Sequence, residues 1–126
     1  MVKRKSKGEG RMTDVNIVAL VGRVTRDAEL KNTYGGTSVC KFVMAVSRNR
    51  KTNEKWEEET SFIDVQAWGK LAEFVADKLT KGKQVMVQGS LRQERWESNG
   101  EKKQRVIIVA DNIQLPFVRE EQNNGW

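Results

Sequence analysis

TSFIDVQAWGKLAEFVADKLTKG, residues 60–82, changes its hydrophobic period halfway along, and that change decides the architecture. Up to Trp68 the residues alternate. Ile63, Val65 and Ala67 share one face, and Phe62, Asp64, Gln66 and Trp68 share the other, because successive strand side chains point to opposite sides. After Gly69 the spacing turns helical: Leu71, Val75 and Leu79 recur at every fourth position, with Ala72 and Ala76 beside them and Gly82 as a stop. A strand therefore runs directly into a short amphipathic helix. The strand also poses a problem, since its second face carries Asp and Gln, which want water, between two large aromatic rings.

Upstream, Asn16 to Val24 (NIVALVGRV) is nearly continuously apolar and β-branched, the pattern of a strand buried on both faces. Gly22 inside it predicts a bulge or sharp bend of the kind a barrel needs where a strand turns a corner. Pairing is expected to continue through Arg26 to Leu30, and Tyr34-Gly35-Gly36 marks a turn. Val39 to Arg48 (VCKFVMAVSR) is a second strand, and Arg48 to Glu59, polar throughout, reads as a long exposed hairpin loop. Downstream, Val85 to Arg95 is a fourth strand with Val85, Val87, Gly89 and Leu91 facing inward. Asn99-Gly100 suits a primed hairpin turn, Gln104 to Leu115 is the fifth strand, and Pro116 ends it. The order β-β-β-α-β-β fits an OB-fold, a mainly β, five-stranded Greek-key barrel with one helix between strands 3 and 4. An α+β sandwich is the competing architecture.

At 126 residues the chain has room for one core. Residues 1–12 read as a basic disordered arm, 13–116 as the barrel domain and 117–126 as a polar tail. The net charge of +6 is concentrated at the start: residues 1–11 carry +4, so Met12 onward carries only +2, and charge alone does not mark a nucleic-acid footprint. Met12 is itself a candidate natural start. No apolar run is long enough to cross a membrane and no signal-peptide pattern follows the basic start, which points to the cytoplasm. Cys40 is alone and reads as a small buried hydrophobe. The absence of histidine removes the commonest general base and metal ligand, and no catalytic elbow, phosphate loop or dinucleotide fingerprint is present. Glu57, Glu58 and Glu59 are consecutive and point different ways, so no metal or cofactor site and no enzyme activity is expected.

The fourth strand repeats the oddity of the third. With Val85, Val87 and Gly89 inward, Trp96 falls at the outward end of a row that includes Arg92. Phe62, Trp68 and Trp96, with Trp56 in the charged loop, are predicted exposed near Arg48, Arg50, Lys51, Lys70, Arg92 and Arg95. Exposed rings among cations suit an unpaired nucleic-acid strand: rings stack on bare base faces, about 1–3 kcal/mol each, while cations follow the phosphates. The structural alternatives are that Trp68 caps the end of the core, Phe62 packs under the 48–59 loop and Trp56 anchors that loop. Aromatics and Arg also dominate protein interfaces, so an OB-fold assembly module of a replication complex, as in primosome components, is the alternative function.

VALVGRVTRDAEL near the start, the run from Phe62 to Glu73, KGKQVMVQGSLRQERW at 81–96 and VIIVADNIQL near the end resemble the bacterial single-stranded DNA-binding protein (SSB) family. The resemblance covers residues 13–115 in order. It implies an OB-fold that binds single-stranded DNA in replication, recombination and repair, as a cytoplasmic, nucleoid-associated homotetramer. It carries the family's stacking aromatics onto Phe62, Trp68 and Trp96, and its backbone-tracking basic positions onto Lys70, Lys81, Arg92 and Arg95. A further family aromatic aligns near Arg50, where Arg or the neighbouring Trp56 would substitute. Asp64 stands where some relatives have a basic residue. The chain ends REEQNNGW, without the family's acidic tip that recruits replication proteins, so that partnership is not carried over.

Overall fold

The computed structural model describes residues 13–116; the expected arm and tail lie outside the described residues. Its elements are β1 (Val18–Val24), β2 (Glu29–Asn32), β3 (Ser38–Thr52), β4 (Lys55–Trp68), α1 (Gly69–Val75), β5 (Gln84–Ser98) and β6 (Glu101–Gln114). The strands lie in the order β1-β5-β6-β4-β3-β2, and β1 pairs back onto β3 through Arg23↔Ala45 and Val24↔Met44. That second pairing closes a five-stranded barrel, with β2 as a short flap on the outer side of β3. Only β4 and β6 run parallel, at Val65↔Ile108 and Gln66↔Val109. A five-stranded closed barrel with one helix between its third and fourth strands is the OB-fold expected from the sequence, and the sandwich alternative falls away.

Gly22 explains how the barrel closes. It pairs with Val85 of β5 just before β1 transfers to β3. A Cβ there would lie 2.4 Å from the Ala45 carbonyl oxygen, so only glycine lets the two backbones meet at that corner.

The core is filled by the stripe read from the sequence. Val65 and Ala67 of β4 meet Phe42 and Met44 of β3, Val85 and Val87 of β5, and Ile108, Ala110 and Ile113 of β6. Cys40 is wholly buried among them, as expected. Ala72 and Val75 of α1, with Leu79 beyond it, close one end of the barrel. Burying each side chain the size of Met44, Leu79 or Ile108 contributes about 1.5–3 kcal/mol.

Four local expectations need correction. β1 is not buried on both faces: Ala19, Val21 and Arg23 alternate out to solvent, so only one side of this strand faces the core. The segment 48–59 is not a loop. β3 and β4 continue as an antiparallel ribbon to Thr52↔Lys55, turning at Asn53 and Glu54, which both have positive φ (50° and 66°) as a primed turn requires. The helix stops at Val75 rather than running to Gly82. The backbone tightens there, with the Lys78 and Leu79 N–H groups both donating to the Val75 carbonyl. The Leu79 carbonyl then accepts from Ala28 N–H, which draws the chain back to the barrel wall. Leu91, expected inward, pairs with Ile108 of β6 but is half exposed, because on its other edge β1 pairing ends at Val18↔Gly89 and the Asn16 side chain takes the place of a strand.

Candidate nucleic-acid interface

The pairing register determines which side chains share a side. From the turn at 53–54, β3 and β4 pair without a break to Val39↔Trp68. Trp56, Phe62, Asp64, Gln66 and Trp68 therefore fall on one side of β4, together with Lys51, Val43 and Lys41 of β3. At the other hairpin, Asn99 and Gly100 form the expected two-residue turn with positive φ (52° and 79°). Counting back from Ser98↔Glu101 sets Trp96 against Lys103, Glu94 against Arg105 and Arg92 against Ile107. Hydrogen bonds and ion pairs crossing from β4 to this hairpin, described below, show that the two rows belong to one surface.

The rings differ in how far they face water. Trp56 and Phe62 are each 69% exposed and Trp96 is 43% exposed. Trp68 is only half-buried rather than exposed. It occupies the residue before α1, in extended conformation, and its indole N–H is buried without a partner among the described residues. Its free ring area is therefore smaller than that of the other three. Lys51 lies 5.8 Å from the centre of the Trp56 ring, and the Arg105 guanidinium lies 5.5 Å from that of Trp96, both within range for attraction between a cation and a ring face.

The predicted cations divide into groups. Arg92 shares the outward side of β5 with Trp96, and Lys70 follows Trp68 by two residues at the start of α1; both are exposed. Lys81 stands in the turn before β5, where its backbone N–H donates to Asp27 Oδ1 at 2.9 Å. Arg95 alternates to the other side of its hairpin, where it donates to the Gln93 side chain. Arg48 and Arg50 also alternate away from the rings. Both are tied to Glu59, at 3.1 and 3.4 Å. The structure therefore does not bring these two arginines to the ring-bearing side.

Sequence reasoning missed the centre of the surface. Arg105 Nε donates to Glu94 Oε1 at 2.9 Å, and its Nη1 lies 3.5 Å from Asp64 Oδ2. Gln66, 2% exposed, donates from Nε2 to Glu94 Oε2 at 3.0 Å and leaves its Oε1 buried without a partner among the described residues. The Gln66 hydrogen bond, and then Arg105, hold the Glu94 carboxyl below its ordinary pKa against the opposing effect of burial. Lys41 completes the group and lines, with Asp64, Gln66 and Arg105, a cleft of about 270 Å³. The missed signal was available: a two-residue turn at Asn99-Gly100 pairs Glu94 with Arg105 by counting alone. Among the described residues no cluster of three or more acidic or sulfur ligands could hold a metal.

A barrel side with rings along two strands and cations between them can take up flat, anionic, unpaired polymers, and comparison with known proteins points the same way. Residues 15–116 match the model of the single-strand binding protein family. The chain is 51% identical over 104 residues to a single-stranded DNA-binding protein of Treponema pallidum, covering 82% of this chain and 59% of that protein. It is 42% identical to the one from Borreliella burgdorferi, covering 82% and 71%. Among solved structures, a deletion mutant of the single-stranded DNA binding protein from Thermus aquaticus superposes with a TM-score of 0.74 at 29% identity, covering 83% of this chain and 52% of that one. The Plasmodium falciparum SSB complex with ssDNA shares the fold, with a TM-score of 0.73 at 24% identity over 86% and 98% of the two chains. The chain thus spans little more than half the length of some of the proteins it matches.

Proposed function

Because the chain belongs to the single-strand binding protein family, we propose that it binds single-stranded DNA without reading sequence and protects it during replication, recombination and repair. The observation that carries this is the common side shared by Trp56, Phe62 and Trp96, open to solvent, with Lys51, Arg92 and Arg105 in the same rows. The rings stack on bases whose faces a duplex would hide, and the cations neutralise phosphates. Stacking accepts every base, so the grip is indifferent to sequence. With a net charge of only +2 beyond residue 11, stacking carries an unusually large share of the affinity. The reading needs no catalytic step and no cofactor.

Copies of the chain act together, as a homotetramer in the bacterial cytoplasm. An apolar row separate from the rings supports self-association: Val15, Ile17 and Val21 are 79%, 76% and 52% exposed, and Met86 lies directly opposite Val21. That row makes the assembly-module alternative weaker, since subunits have an apolar contact available without covering Trp96. Anisotropy of a labelled dT oligomer, competed with unlabelled single strand and with duplex of the same length, tests the reading. Competition by the single strand alone is expected; equal competition by duplex overturns it. Native mass with and without the strand tests the tetramer.

A further inference from the structure

A surface built for a polyanion has no evident use for carboxylates at its centre, yet two are there. Asp64 and Glu94 flank Arg105, and with Lys41 they make a group of zero net charge beside Trp96. Neither acid is needed to satisfy a buried cation, because the Arg105 side chain is 42% exposed and that of Asp64 40% exposed. The two contacts to Arg105 are unequal. Glu94 accepts a well-formed hydrogen bond at 2.9 Å from Nε and is itself anchored by buried Gln66, whereas Asp64 sits 3.5 Å from Nη1 with no other side-chain partner among the described residues. A guanidinium presents five donors in a rigid fork, so it can keep one carboxylate while exchanging another for a phosphate oxygen.

Resting on the single-strand reading, we propose that Arg105 is a phosphate-binding residue held in reserve: Asp64 occupies it in the free protein and gives way to a backbone phosphate of the strand. Glu94 keeps the guanidinium pinned beside Trp96 throughout, so the phosphate is taken up next to a stacking ring. Asp64, once displaced, faces solvent uncompensated and attracts a cation. The counterion released from the phosphate is then partly taken up again. Binding is weaker and less salt-dependent than the cation count implies, and the strand is released more readily.

The test uses the full chain and a labelled dT oligomer, titrated at several salt concentrations, with wild type, Asp64→Asn, Arg105→Ala and the control Asp111→Asn. The control makes the same charge change at an exposed residue of β6 outside this group. Asp64→Asn is expected to bind about tenfold tighter at low salt and to steepen the log K against log salt slope by up to about 0.7, the full increment for one phosphate on a single strand. Asp111→Asn keeps the wild-type slope, and Arg105→Ala weakens binding at least about tenfold at low salt, because it removes the phosphate contact and leaves both acids facing the strand. Thermal melts establish that each variant is folded; Asp64→Asn, which loses one long surface contact, carries the test if Arg105→Ala does not fold. Wild-type affinity and slope in Asp64→Asn would overturn the exchange while leaving single-strand binding intact. No binding by the wild-type chain would overturn both.

Discussion

Replacing Phe62 with Ala should separate binding from folding. The ring is 69% exposed, lies outside the core cluster and faces only the small Ala45 across the ribbon. Removing it leaves no cavity, so folding stability should change by no more than about 0.5 kcal/mol. The lost stack, in contrast, is worth about 1–3 kcal/mol, which weakens the association constant roughly 5- to 150-fold. No charge is removed, so a plot of log K against log salt should move down in parallel, with its slope unchanged. Trp68→Ala provides the contrast: half-buried at the junction of β4 and α1, it should cost about 2–4 kcal/mol of stability as well as some affinity. The assay is a dT-oligomer titration at three salt concentrations beside a thermal melt of each variant. A Phe62→Ala protein that melts well below wild type yet binds with wild-type affinity would refute the assignment of this ring to the strand.

Other perturbations probe the barrel and its charges. At Gly89 an added Cβ would lie 2.0 Å from the Val109 carbonyl oxygen, where the β5–β6 register shifts. Gly89→Ala should therefore destabilise by about 3 kcal/mol, lowering Tm by roughly 12 °C or more. Cys40 is fully buried and burial pushes its thiol pKa up, so an aromatic disulfide reagent at pH 8 should label it only after denaturant unfolds the chain. The Glu94 carboxyl has a lower pKa folded than unfolded. Its contribution to stability is present above its ordinary value near 4.5 and is lost as pH falls through the lowered folded value. Glu94→Gln should flatten that part of the stability–pH curve measured by urea unfolding; an unchanged curve would remove Glu94 from the account.

The elements that could be read from sequence were those with one apolar side. Ile63, Val65 and Ala67 alternate cleanly, and the same alternation in the sequence sets Phe62, Trp68 and Trp96 on the outer side of their strands. The far halves of the two hairpins have water on both sides, so no apolar period betrays them. Residues 48–59 read as loop for that reason, and because Glu54 is an unusual occupant of a positive-φ turn position. The same gap misplaced Arg48 and Arg50: without a register through the ribbon, nothing in the sequence told that they alternate away from the rings. Helical spacing through Leu79 overstated α1, since burial of Leu79 does not require a continuous helix once its carbonyl is claimed by Ala28. Leu91 followed the inward period of β5, but periodicity cannot tell where a neighbouring strand ends. Arg105 went unnoticed because one charged residue at the start of an apolar strand looks like an ordinary solvated end.

The most direct test of the stacking grip is intrinsic tryptophan fluorescence during titration with a dT oligomer, followed in parallel by anisotropy of the labelled strand. Rings lying flat against bases should lose emission in step with the anisotropy rise, with little change when duplex of equal length is added. A full anisotropy change with undiminished tryptophan emission would mean that the strand is held without stacking on the indoles, contradicting the role given to Trp56 and Trp96.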